Sequence, residues 1–164
     1  RGRSHCYVCE SIEKPVLILF ATAKDTRGNL VLSSPKTGQL ARFLDEALAN
    51  RENLASWLTF LNPKQDELDA PIVKWANETG LRLLPVGVFE DPLGPPAYRF
   101  NGKSAMTAIV AKDGKVEKAI HFQEGESLAD FQASLLKELD RIAPVKTKPA
   151  AEKEKPKSEP EKKK

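Results

Sequence analysis

Cys6 and Cys9 are the two cysteines of the chain, and they stand at Cys-x-x-Cys spacing. Thiols at this spacing can close a local disulfide, exchange electrons with another dithiol, or bind a metal as thiolates. His5 precedes the first cysteine and completes a set of three metal ligands, with His121 as a distant fourth. Zinc accepts such nitrogen and sulfur donors, although one Cys-x-x-Cys without a second is a thin signature. Covalent haem needs His directly after the second cysteine, and Glu10 stands there. As a redox pair, Cys6 would attack and Cys9 would resolve. Redox pair, structural clip, inert thiols and metal site all stay open on these residues alone.

The elements that must position this pair follow it. Residues 1–14 show no sustained periodicity and read as an irregular lead-in. Val16 to Ala23 is an apolar run bounded by Pro15 and Lys24, the pattern of a strand buried on both faces. Gly28 and Ser33-Ser34-Pro35 mark a long connection, and a helix is expected to start near Ser34 or Thr37. Leu40, Phe43, Leu44, Ala47 and Leu48 give it one apolar face. A second strand is expected at 54–61. The next helix is expected to begin near Asp69, with Asp69 as N-cap, because Pro71 is poorly tolerated deep in a helix; Gly80 should cap its far end. Leu81 to Phe89 contains Pro85 and Gly87, so it reads as a short edge strand or an extended segment. Strands at 106–111 and 116–122 flank Asp113-Gly114, a hairpin signal. A last helix opens at Ser127, carries Leu128, Phe131, Leu135, Leu139 and Ile142, and stops at Pro144.

Charge divides the chain. The net charge of the 164 residues is +3, whereas residues 146–164 hold eight Lys and four Glu and are +4 by themselves, which leaves the body at −1. The body therefore has no basic field suited to nucleic acid. The tail has almost nothing to bury and is expected to be disordered. No apolar run approaches the roughly 20 residues of a membrane helix. The chain opens on Arg1 and not Met, which fits removal of an upstream segment. The expected division is a lead-in at 1–14, one α/β domain at 15–145 and a tail at 146–164.

Phe20-Ala21-Thr22-Ala23 resembles the Phe-x-Ala-Thr-Trp that precedes the redox Cys-x-x-Cys of redoxin-like proteins. Pro85-Val-Gly-Val-Phe-Glu-Asp91, then Ser104-Ala-Met-Thr-Ala-Ile-Val-Ala-Lys-Asp-Gly-Lys-Val116, resembles the closing part of the same branch. With the element order, the likeness to the thioredoxin-like superfamily covers residues 15–142. The fold it implies is α/β, a central mixed sheet with helices on both faces. The resemblance puts the family's two cysteines at Lys24 and Arg27 and its cis-proline at about Ala105, so this chain departs from the pattern at all three. Its own pair lies before the strand, and an extended chain cannot carry it to the usual site. Two functions follow: a thiol–disulfide redox role through Cys6 and Cys9, or a non-catalytic binding or accessory domain on the redoxin scaffold. His5-Cys6-Tyr7-Val8-Cys9 and Gly94-Pro95-Pro96 resemble exported thioredoxin-like proteins, which implies an oxidising compartment. The expected partner is a protein or a thiol substrate.

The remaining candidates have simpler readings. His121 beside Phe122 suits a structural histidine. Trp57 and Trp75 suit core packing. Lys24 and Arg27 could meet an anion but suit a solvated charged loop better. Gly94-Pro95-Pro96-Ala97-Tyr98 is either a recognition loop or a stiff spacer. There is no phosphate-binding glycine loop, hydrolase signature or nucleotide fingerprint, so no cofactor is expected.

Overall fold

The computed structural model describes residues 11–24, 28–98, 100 and 104–146. The Cys6–Cys9 lead-in, Arg27 and residues 147–164 lie outside them.

Five strands form one sheet in the order β3-β2-β1-β4-β5: β1 is Val16–Thr22, β2 Ala55–Leu61, β3 Val86–Phe89, β4 Met106–Lys112 and β5 Lys115–Phe122. The helices are α1 Pro35–Asn50, α2 Asp66–Thr79 and α3 Leu128–Ile142. β1 is central, as its uniformly apolar sequence requires. It pairs parallel with β2 (Leu19↔Leu58) and antiparallel with β4 (Leu19↔Ala108). The expected β4–β5 hairpin forms, with Asp113 and Gly114 both at positive φ in a two-residue turn. Pro85 sits just outside β3, where its missing N–H breaks no ladder bond, and its carbonyl accepts from Leu58 N–H.

Alternation along β1 separates two cores. Leu17, Leu19 and Ala21 face one side, where Leu40 and Leu44 of α1, Leu68 and Ile72 of α2, and Leu135 and Leu139 of α3 are all buried. The two crossovers, β1-α1-β2 and β2-α2-β3, step in the same direction across the sheet. Right-handed connections then lay both helices on the same face. Val16, Ile18 and Phe20 face the other side, and there the expected helical cover is a 3-10 turn, Pro96–Tyr98, followed by Phe100. Phe20 lies 5.5 Å from Tyr98 and 4.9 Å from Phe100, ring centre to ring centre. The Gly-Pro-Pro loop is thus a lid on this face. Trp57 packs on the same side, and Trp75 meets Phe60 edge-on across the helical core.

α2 begins earlier than Pro71 suggested, at Asp66 with Gln65 as N-cap. The added turn buries Leu68 one turn before Ile72. Burying such a side chain yields about 1.5–3 kcal/mol, which offsets the one ladder bond that Pro71 cannot donate. Gly80 caps the helix in the left-handed region at φ 76°, as expected. Ser127 caps α3 by accepting the Asp130 N–H. At the domain's end Arg51, buried, pairs with Asp140, and Lys146 N–H reaches the Asn50 carbonyl.

Candidate functional site

After β1 the chain does not enter its helix at once. Lys24 bridges back to Leu30, Val31 N–H bonds the Ala23 carbonyl, and a 3-10 turn at Val31–Ser33 delivers the chain to α1. Pro35 occupies the first helical turn, where its fixed φ suits the helix and its missing N–H is not needed. Ser34 is the N-cap residue of this helix, and Thr37 stands in its first turn. Lys24 belongs to the preceding bridge, and Arg27 lies outside the described residues. The signal was present in the sequence as Ser33-Ser34-Pro35, since proline prefers the first helical position.

Ser34 and Thr37 open onto a cleft of about 860 Å³ beyond the carboxyl end of β1. Its walls include Thr22 and Lys24 from the end of β1, Leu30 and Val31, Lys36 on α1, Ser104–Met106 leading into β4, and Phe122, Glu124 and Gly125 after β5. Ala105 is held beside β1, its carbonyl accepting from both the Thr22 N–H (3.0 Å) and the Thr22 hydroxyl (3.3 Å). The cleft lies where the chain order reverses, with β2 and β3 on one side of β1 and β4 and β5 on the other. Open α/β sheets bind ligands at that place.

The polar groups of this cleft are underused. Ser34 is the N-cap residue of α1 yet makes no side-chain cap bond. Thr37 is 2% exposed, and its Oγ1 has no hydrogen-bond partner. An unmade bond of this kind costs about 1–3 kcal/mol. Lys36 Nζ lies over the Phe122 ring, 5.6 Å from its centre. α1 has no acidic residue in its first turn.

The other predicted residues disperse. His121 is exposed on β5 with Nδ1 3.1 Å from the Thr107 hydroxyl, while Phe122 turns into the core, which is the structural reading of that histidine. The first described residues of the chain lie at the far end of the sheet. Ser11 is buried there, and Ile12 approaches Gly114 in the β4–β5 turn, with Cγ2 3.7 Å from where a Cβ would stand. Among the described residues no group of three His, Cys, Asp or Glu side chains could hold a metal. His5, Cys6 and Cys9 lie outside them. No helix of the described residues is long and apolar enough to cross a membrane.

No family model matches the sequence, and no curated protein matches it. Solved structures do. The secreted Mycobacterium tuberculosis disulfide oxidoreductase homologous to E. coli DsbE is similar with a TM-score of 0.51 at 11% identity, covering 78% of this chain and 85% of that one. A DsbF homologue from Corynebacterium diphtheriae is similar with a TM-score of 0.52 at 14% identity, over 82% and 76% of the two chains. A Chlorobium tepidum protein assigned as the thiol:disulfide interchange protein DsbE gives a TM-score of 0.54 at 14% identity, over 82% and 84%. With its mixed five-stranded sheet and three helices in this order, the chain has the thioredoxin-like fold.

Proposed function

We propose that the chain is a binding domain on a redoxin scaffold, that its ligand groove is the cleft beyond β1, and that Cys6 and Cys9 form a separate pair in an exported protein. The observation that carries this reading is Ser34 and Thr37 on the α1 N-terminus facing Ala105. A hydroxyl cannot form a mixed disulfide, so among the described residues lining this cleft dithiol exchange has no nucleophile. Reach supports the same reading. Ile12 is three chain steps from Cys9, at most ~11 Å of chain. The seven residues of β1 span ~23 Å between the Ile12 end and the cleft.

A second reading is favoured by the neighbours, one of which is a secreted disulfide oxidoreductase and another a protein assigned to thiol:disulfide interchange. In it the Cys6 thiolate attacks a partner's disulfide and forms a mixed disulfide, releasing one partner thiolate. Cys9 then displaces the second, leaving Cys6–Cys9 oxidised and the partner reduced by two electrons.

An insulin-reduction assay combined with the reduction potential of the pair in a glutathione series, with Cys6→Ser as control, separates the two. Little or no insulin reduction and a potential well below about −300 mV mark a structural clip and support the binding reading. A potential near about −200 mV supports exchange through Cys6 and Cys9. Rapid insulin reduction abolished by Cys6→Ser would overturn the binding reading.

A further inference from the structure

We propose that the cleft seats a small organic oxyanion, a carboxylate or a phosphate ester, on the N-terminus of α1 with its apolar body against Val31, Met106 and Phe122. The inference rests on the reading of this cleft as a ligand groove and names what the groove takes.

Two independent observations meet at one point. The first is the helix end. α1 is 16 residues long, so its N-terminus carries the positive end of a full macrodipole. Thr37 and Gly38 N–H both turn back to the Ser34 carbonyl, and Pro35 has no N–H. This leaves Lys36 N–H as the first-turn donor with no acceptor within the helix. The second is Thr37. Its side chain is almost wholly buried in the cleft wall, and its Oγ1 bonds nothing. A hydroxyl in that condition is completed by an incoming acceptor. Ser34, whose side chain makes no cap bond, lines the cleft with it.

Charge agrees with this assignment. Lys24 and Lys36 both line the cleft, against the single acidic residue Glu124 among the described lining residues. Lys36 is held over the cleft by the Phe122 ring. Size and lining favour an organic anion over a bare ion. A free phosphate fills a small part of a cleft of about 860 Å³, and the aliphatic and aromatic wall would be left facing water. Pockets of this size ordinarily take ligands with an apolar body and a few fixed polar contacts.

The test is a nitrogen-15 NMR titration of the full chain with phenylbutyrate, phenyl phosphate, inorganic phosphate and the neutral amide phenylbutyramide. At least one organic anion should move the amides of Lys36, Thr37 and Gly38 saturably, with phenylbutyramide at least tenfold weaker and inorganic phosphate weaker than phenyl phosphate. Whichever of the two organic anions binds tighter identifies the head group. Lys36→Gln, on an exposed side chain, and Thr37→Val should each weaken the preferred anion threefold or more, and Thr37→Ser should restore binding. Equal binding of phenylbutyramide in the cleft would overturn the oxyanion assignment while leaving the groove reading intact. Saturable binding unaffected by both variants, or no shift at the α1 N-terminus with any probe, would also overturn it. The groove reading itself fails separately, through the insulin assay.

Discussion

The ring of Phe100 occupies the space that a Cβ on Gly94 would need, and Gly94 itself lies at φ +73°. The loop therefore closes on the sheet only because residue 94 has no side chain. Phe100 in turn lies on Phe20 and stacks with Tyr98, so a single glycine sets the cover of the non-helical face. Burial there also pushes the Tyr98 hydroxyl above its ordinary pKa.

Gly94→Ala is accordingly expected to destabilise the fold by about 2 kcal/mol or more, from overpacking and a left-handed backbone together. A urea-unfolding midpoint indistinguishable from wild type would show that the Phe100 ring yields freely.

Asp45 on α1 should make stability acid-sensitive. Its Oδ1 accepts backbone N–H bonds from Arg82, Leu83 and Leu84 at 3.0, 2.7 and 2.7 Å. Burial pushes this carboxyl up, but the three N–H groups outweigh it and hold the pKa below the ordinary 3.8. Glu138 is lowered too, by hydrogen bonds from Lys118 and Arg141. A lowered folded-state pKa means that the contribution is present above the unfolded value and drains as pH falls through the folded one. Asp45→Asn should cost about 1 kcal/mol at neutral pH, allowing for its contact with solvent. It should also flatten the loss of stability between about pH 5 and pH 3. An unchanged acid slope in thermal melts would assign that loss to other carboxylates.

Pro71 is a correctable defect. Replacing it with Ala restores a donor to the Glu67 carbonyl and removes a ring clash, worth up to about 3 kcal/mol in a helix interior. Proline's restriction of the unfolded chain returns about 0.4–1 kcal/mol of that. Pro71→Ala should raise the melting temperature, and a fall would show that the ring packs usefully beside α2.

Removal of residues 147–164 should leave the melting temperature within error. The main core ends at Ala143, and the last described tether is the Lys146 to Asn50 bond. A drop of several degrees would show that the tail contributes packing.

Local chemistry was enough for much of the architecture. The apolar run at β1, the Asp113-Gly114 turn, Gly80 at the end of α2 and the Ser127 cap each depend on a residue's own backbone preference or on neighbours within one turn. All four were legible from the sequence, as was the order of strands and helices that implies a thioredoxin-like sheet. Three features required the chain to meet itself. Leu68 drew α2 one turn past the point where Pro71 set its start, because burial against the sheet outweighs one local bond. The Lys24–Leu30 bridge and the 3-10 turn after it separate the end of β1 from the N-terminus of α1, and no spacing rule encodes that detour. The underused hydroxyls of Ser34 and Thr37 are also visible only in the fold, since a serine at N-cap predicts a cap bond and only tertiary packing leaves it unmade. Cys6 and Cys9, by contrast, are known from their spacing alone and lie outside the described residues, the first of which after them to touch the sheet's far end is Ile12, beside Gly114 in the β4–β5 turn.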